Sequence, residues 1–133
     1  MALKVDVSVG EFLDKITILE IKSERIKNED KLRNVNRELA LLRETWAASP
    51  LSSADTGDLV PRLKAVNERL WDIEDSIRRQ EAAGTFGEEF ILLARSVYQE
   101  NDERARLKYE LNQRLGSDLV EEKDYPDYTG SSS

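Results

Sequence analysis

Three polar residues fall on the apolar face of the last helix that the sequence predicts. At about 100° per residue, Asn101, Lys108 and Asn112 share a sector with apolar side chains, and Arg104 lies at its edge. Burying an unpaired ammonium group costs several kcal/mol, so Lys108 has to meet a carboxylate, lose its proton or reach water. As hydrogen-bond donors, these side chains also suit an anionic or sugar-like ligand held between helices.

The preceding helix carries a matching polar flank beside its apolar seam. Asn67, Trp71, Glu74 and Arg78 follow one another at steps of four, three and four, which places them on one side of the helix. Glu74 is therefore predicted to be the counter-charge of Lys108 between these two helices.

Two interpretations of this polar cluster follow. In the first, it is a structural network that fixes the register of the helices or an oligomer interface. In the second, it is a ligand site in which acidic side chains balance the charge of the donors. The candidate ligand-binding residues are Lys108, Arg104, Asn101, Asn112, Glu74, Asn67, Trp71 and Glu20. No catalytic residue is assigned.

Composition excludes several classes of function. The 133 residues carry a formal net charge of −7 and include no cysteine and no histidine. Nucleic-acid and anionic-membrane binders gain their affinity from clustered lysine and arginine, so neither partner is predicted. The usual zinc and iron–sulfur ligands, thiol nucleophiles and imidazole bases are missing, so no metal and no cofactor are predicted. Whether the protein is an enzyme stays open.

Both ends of the chain are predicted to lie outside the helices. Neither a signal peptide nor a membrane span is predicted from the sequence, so the expected location is the cytoplasm. Near the C-terminus, "VEEKDYPDY" lacks the spaced ligands and turn glycine of a calcium loop and is predicted to be a solvated acidic segment. Residues 129–133, "TGSSS", are predicted to be disordered.

Apolar periodicity predicts an all-α protein. The first helix is expected to end near Asn28, the second to span about 30–48, the third about 59–83, and the fourth to end at Leu115. The predicted fold is a bundle of about four helices with a long C-terminal helical hairpin and short extended segments at both ends. Residues 1–128 are expected to form a single domain.

Capping residues predict where two of these helices begin. Ser8 with Glu11 has the spacing of a capping box at the start of the first helix. Thr85 with Glu88 has the same spacing one residue after Gly84, which is expected to end the third helix. The third and fourth helices should therefore form a tight antiparallel hairpin.

Two further patterns indicate contacts beyond the main core. "LKVDVSV", residues 3–9, alternates as a half-buried strand does, and it is expected to pair with "DLVEEKDY" near the C-terminus or with a second subunit. The first helix also has a second stripe away from its main apolar face, and it is therefore expected to make contacts on two sides. The stripe consists of Asp14, Ile18, Ile21 and Arg25.

Three segments resemble a family of small bacterial and phage helical proteins, a domain of unknown function. They are "GEFLDKITILEIKSERI", "LKAVNERLWDIEDSIR" and "NDERARLKYELNQRLGSDLVEEKDY", and they carry a "DKITILEIK" start and an "NDxRxxLK…N…LGS…VEEKxY" finish. The resemblance covers most of the chain except residues 48–58 and the extreme tail. It implies no activity and no catalytic residue. Members are sometimes encoded near surface-polysaccharide genes, which implies an accessory role in sugar metabolism.

The predicted function is that of a small cytoplasmic interaction or oligomerisation module. Its expected partner is a second copy of the chain or another protein, as the second stripe of the first helix and the unpaired N-terminal strand indicate. The alternative is a small metal-independent enzyme, or a binder of an anionic or sugar-like metabolite, that uses the polar cluster. The resemblance adds the accessory role in surface-polysaccharide or sugar metabolism.

Overall fold

The computed structural model describes residues 1–128, which form an all-α fold. The four helices are α1 (Val9–Arg25), α2 (Glu29–Ala48), α3 (Leu59–Ala83) and α4 (Glu88–Leu115), and a short 3-10 helix, Pro50–Ser53, lies between α2 and α3. Helices α3 and α4 form the long hairpin that the sequence predicted. The predicted disorder of residues 129–133 lies outside the described residues.

Local capping signals give the correct ends for most helices. The Oγ of Ser8 accepts a hydrogen bond from the Glu11 amide at 3.1 Å, which is one of the two bonds of the predicted capping box. The carboxylate of Glu11 pairs with Lys108 instead of reaching back to Ser8. Gly84 and Gly116 end α3 and α4 in the left-handed conformation, with φ of 68° and 65°, which glycine adopts without strain. The first helix ends at Arg25, three residues earlier than expected.

The second capping box is a wrong prediction. Helix α4 begins after Gly87, whose residue type offers no side-chain cap. The hydroxyl of Thr85 instead donates to the carbonyl oxygen of Gln80, at 3.3 Å, and to its side-chain oxygen, at 2.8 Å. Because the connection between α3 and α4 is so short, the hydroxyl that was expected to cap α4 is bound by the C-terminal end of α3.

Helix α1 lies at the centre of the bundle and contacts the other three helices. The core is made of aliphatic side chains from all four: Val9, Leu13, Ile16, Leu19, Leu39, Leu59, Leu63, Val66, Leu70, Leu107, Leu111 and Leu115. The backbones of α1 and α4 approach most closely at Gly10, where an added Cβ would overlap the carbonyl oxygen of Lys108. A residue without a side chain is therefore required at this crossing.

The outer half of the α3–α4 hairpin extends past the core. We call residues 71–100 the arm; none of them is buried. The sequence pattern placed Phe86, Phe90 and Val97 on the buried face of α4, yet Phe86 is 54% exposed and the other two are only half-buried. Among residues 1–128, the arm meets the rest of the chain near its base, where Arg25 of α1 contacts Trp71 and Asp72, and at Tyr98, whose ring packs against that of Tyr128. The other apolar side chains of the arm are half-buried or exposed.

The predicted pairing of the two ends within the chain is wrong. Residues 1–7 are exposed and form no strand, and neither do residues 118–125. Next to these two segments, the Val9 amide donates a hydrogen bond of 3.1 Å to the Oγ of Ser117. Ser8 caps α1, so the helix begins within the segment that was predicted to be a strand, and the residues before it pair with no other strand among residues 1–128. Pairing with a second subunit stays a prediction.

Candidate functional site

A buried carboxylate stands where α1, α3 and α4 meet. Asp14 of α1 is 1% exposed. Arg104 of α4 contacts both of its oxygens, with Nε 2.9 Å from Oδ1 and Nη2 2.5 Å from Oδ2. This two-point geometry is the strongest that a side-chain ion pair adopts. The hydrogen bond to Asp14 is the main reason that the pKa of Arg104 is raised, although burial opposes it.

Two neutral side chains complete the surroundings of Asp14. Asn67 of α3 donates through Nδ2 to Asp14 Oδ1 and to Thr17 Oγ1, at 2.9 Å in each case. Thr17 donates in turn to the backbone carbonyl of Asp14 at 2.7 Å. Among residues 1–128, no fully buried side-chain nitrogen or oxygen lacks a hydrogen-bond partner. The cluster therefore joins three helices with its polar groups satisfied, as buried charges require.

Lys108 faces α1 and not α3. Its ammonium group pairs with Glu11 and lies 3.9 Å from Asp14 Oδ2. The predicted partner, Glu74, instead pairs with Arg78 one turn along α3, at 3.1 Å. The prediction of a Lys108–Glu74 pair is thus wrong, because the sector of α4 that carries Lys108 turns toward the first helix.

This geometry makes the Lys108 pair a modest contributor to stability. The side chain of Glu11 is 45% exposed, and partly solvated ion pairs contribute about 0–1 kcal/mol. We expect Lys108→Met to lower the free energy of unfolding by about 1 kcal/mol and Glu74→Leu to change it by less. Urea unfolding followed by circular dichroism measures both. A loss of several kcal/mol for Glu74→Leu would contradict the arrangement.

Asn112 holds the first turn of α1. Its Oδ1 accepts a hydrogen bond from the Gly10 amide at 2.6 Å, and the Val9 amide donates to Ser117. The first amides of a helix have no partner within the helix, and here Asn112 of α4 and Ser117, two residues beyond its end, supply two of the acceptors. The polar residue that interrupts the apolar face of α4 is therefore a cap for another helix.

Two adjoining cavities border the buried cluster. The polar cleft, of about 130 Å³, lies between α4 and the C-terminal segment, which we define as residues 117–128. The side chains around it include Asn101, Arg104, Lys108, Asn112, Glu121 and Lys123. The second cavity, the α3 groove, is about 530 Å³ and is bordered by Asn67, Trp71, Glu74, Asn101 and Arg104 together with Ile18 and Ile21 of α1.

The structure brings together seven of the eight predicted site residues. Lys108 and Asn112 line the polar cleft; Asn67, Trp71 and Glu74 line the α3 groove. Asn101 and Arg104 line both, so the two cavities share a wall. The eighth residue does not belong to the site: Glu20 pairs with Arg43 of α2 at 3.0 Å.

Sequence reasoning missed Asp14 as the partner of Arg104 and Glu11 as the partner of Lys108. It also missed the contribution of the C-terminal segment. Asp14 belongs to the second stripe of α1, which was the signal that this face is buried. Glu121 and Lys123 line the polar cleft, and the ring of Tyr128 packs at 4.8 Å from that of Tyr98. The segment predicted to be only a solvated acidic tail therefore runs along α4.

The fold and the site together define an all-helical protein in which a hairpin is joined to a central helix by a buried ion-pair network. The chain matches the model of a family of unknown function, DUF6165, over residues 3–133, and it belongs to that family. A search of curated proteins and a search of solved structures found no match. Among the helices of residues 1–128, none has the length and apolar character that crossing a bilayer requires.

Proposed function

We propose that the protein is a helical interaction module that associates with a second copy of itself through the arm. The observation that carries this proposal is the exposure of large apolar side chains on the arm. Phe86, Ile91 and Leu92 are 54–56% exposed. Contiguous exposed apolar groups on a helical hairpin are typical of surfaces that bind other proteins.

A second copy is a suitable partner because a helical hairpin is half of a four-helix bundle. Two helices that pack only against each other leave one apolar side of each uncovered, and two hairpins together can cover these sides. Identical chains most often associate about a two-fold axis, in which the same patch serves both copies. The arm is such a patch, since it is rich in apolar groups and none of its residues is buried.

Charges on α3 favour an antiparallel arrangement of the two arms. Glu74 and Asp75 form an acidic pair, and Arg78 and Arg79 form a basic pair one turn later. If two copies cross near Ile77, the basic pair of each lies opposite the acidic pair of the other. A parallel arrangement would place like charges together and would be disfavoured.

The size of the arm predicts a weak and reversible dimer. Its α3 portion, residues 71–83, is about 20 Å long at about 1.5 Å per residue. A patch about 20 Å in each direction is smaller than the roughly 800 Å² per partner of a standard stable interface. We therefore expect a dissociation constant in the micromolar range.

The test is sedimentation velocity across a range of protein concentrations, with one variant in the arm and one outside it. We expect the wild type to shift from monomer to dimer as its concentration rises. Leu92→Lys should weaken the dimer about tenfold or more, because the interface would have to bury a charge. Leu41→Lys is the matched control, since Leu41 of α2 is 59% exposed and lies outside the arm.

Two results would overturn the proposal. One is a wild-type protein that stays monomeric at several hundred micromolar. The other is a dimer that Leu41→Lys and Leu92→Lys weaken equally, because that outcome would reflect added charge and not the arm. The accessory role in sugar metabolism and the cytoplasmic location stay predictions, and the alternative of metabolite binding finds its support in the polar cleft.

A further inference from the structure

The polar cleft contains hydrogen-bond donors that the protein itself does not use. Asn112 is 2% exposed, and because its Oδ1 accepts from the Gly10 amide, its Nδ2 points the other way. That nitrogen has no acceptor among residues 1–128, and Asn112 lines the cleft. Since no fully buried side-chain nitrogen among residues 1–128 lacks a partner, the Nδ2 of Asn112 is open to the cleft and can donate to an oxygen atom of a ligand.

Other unused donors surround the same cleft. The ammonium group of Lys108 has three N–H groups, of which the pair with Glu11 uses one. Lys123 pairs with no carboxylate among residues 1–128, and its recorded contact is the ring of Tyr125, at 5.7 Å. Donors from α4 and from the C-terminal segment thus converge on one space, which is the arrangement that a bound oxyanion requires.

The charges that line the cleft select the class of ligand. Arg104, Lys108 and Lys123 face Glu11 and Glu121, and Asp14 pairs with Arg104, so the three positive charges are matched by three negative ones. The wall therefore has no excess positive charge to compensate a multiply charged anion. A single carboxylate can still accept hydrogen bonds from the free N–H groups of Lys108 and Lys123. The two glutamates are acceptors, and they suit hydroxyl groups on the ligand.

We propose that the polar cleft binds a small monoanion that carries both a carboxylate and hydroxyl groups. The carboxylate meets Asn112, Lys108 and Lys123, and the hydroxyl groups meet the glutamates. The volume of about 130 Å³ limits the ligand to a small molecule. The proposal is independent of the arm, because these residues lie on the bundle side of residue 100 or in other elements.

The first test is an NMR titration with glycerate, followed on the side-chain amides of asparagine at constant ionic strength. We expect saturable shifts of the Asn112 amide protons. Asn112→Asp keeps an oxygen to accept from the Gly10 amide but replaces the donor with a carboxylate oxygen. Glycerate should then bind at least about tenfold more weakly, as expected for the loss of a charge-assisted hydrogen bond.

If Asn112→Asp disturbs the fold, a second pair of variants still tests whether glycerate binds in the polar cleft. Lys123→Gln removes a charge from an exposed segment and should weaken glycerate binding severalfold. Lys31→Gln makes the same change at an exposed position on α2 and should leave binding unchanged. Leu92→Lys in the arm should also leave it unchanged, so a failure here is separate from a failure of dimerisation.

Comparison ligands decide the chemical class. Glycerol supplies hydroxyl groups without charge, acetate supplies a carboxylate without hydroxyl groups, and inorganic phosphate supplies more negative charge. Each should bind more weakly than glycerate. The proposal is overturned if glycerate shifts fail to saturate at tens of millimolar, if phosphate or glycerol binds as tightly, or if Lys123→Gln and Lys31→Gln bind glycerate equally.

Discussion

Asp14→Leu is expected to lower the free energy of unfolding by about 3–5 kcal/mol, because it leaves a half-buried guanidinium group without its counter-charge. Arg104 donates to both oxygens of Asp14, and its other hydrogen bond, to Asn101, is longer at 3.5 Å. Asn67 loses one of its two acceptors. Small domains have only about 5–15 kcal/mol of stability, so this variant should unfold at much lower urea concentrations.

A double replacement distinguishes loss of the ion pair from loss of packing. Asp14→Leu combined with Arg104→Met should recover much of the stability, since apolar groups of similar size can replace a buried pair at little cost. Asn67 still donates to Thr17 in the double variant, so its amide is not left unpaired. Urea unfolding of the wild type, both single variants and the double variant gives the coupling energy directly.

An exposed pair supplies the matched control for this experiment. Arg25 and Asp72 also join α1 to α3, at 2.6 Å, but the side chain of Asp72 is 70% exposed. We expect Asp72→Leu to change the stability by no more than about 1 kcal/mol. If Asp14→Leu behaves like Asp72→Leu, then the buried network does not hold the helices together.

Gly10→Ala is the second substitution with a large expected effect. The new methyl group would overlap the backbone carbonyl of Lys108, and a backbone atom cannot move aside as a flexible side chain can. Helices α1 and α4 would have to separate, which would also stretch the hydrogen bond from the Gly10 amide to Asn112. We expect a loss of about 3 kcal/mol or more, despite the gain of up to about 1 kcal/mol in helix propensity.

Gly87→Ala tests whether this loss is specific to the crossing. An added Cβ at Gly87 meets no atom within 4 Å, and its φ of −82° suits any residue. We expect a change within about 1 kcal/mol, the usual range for a helix N-cap without a side-chain hydrogen bond. Equal losses at the two glycines would show that close packing at Gly10 is not the cause. Thermal unfolding provides a second measure of both.

The second stripe of α1 has a different role from the one that its pattern indicated. It was taken to indicate a partner, but Asp14 and Ile21 are buried within the chain, and Arg25 lies over the ring of Trp71 at 5.7 Å. The partner of this stripe is α3 up to the beginning of the arm at Trp71 and Asp72. Most of the arm beyond these residues is exposed, where the sequence pattern predicted a buried face.

The sequence by itself determined the helices and most of their ends. Residues 59–83 of α3 and the end of α4 at Leu115 agree with the prediction because periodicity and C-terminal glycine are local signals. It also identified Asn101, Arg104, Lys108 and Asn112 as residues that need partners, since an unpaired polar group on an apolar face is costly wherever the helix lies.

Only the tertiary structure determined which partners these residues meet. A helical wheel shows which residues of one helix share a face, but not which neighbouring helix that face contacts. The rotation of α4 relative to α1 follows from their close approach at Gly10. Because of this rotation, Lys108 pairs with Glu11 and not with Glu74. The exposure of the arm has a similar cause. The apolar repeat of α3 and α4 continues to the turn between them, whereas the helices that could cover it end earlier. The sequence pattern of one helix does not show how far a neighbouring helix extends.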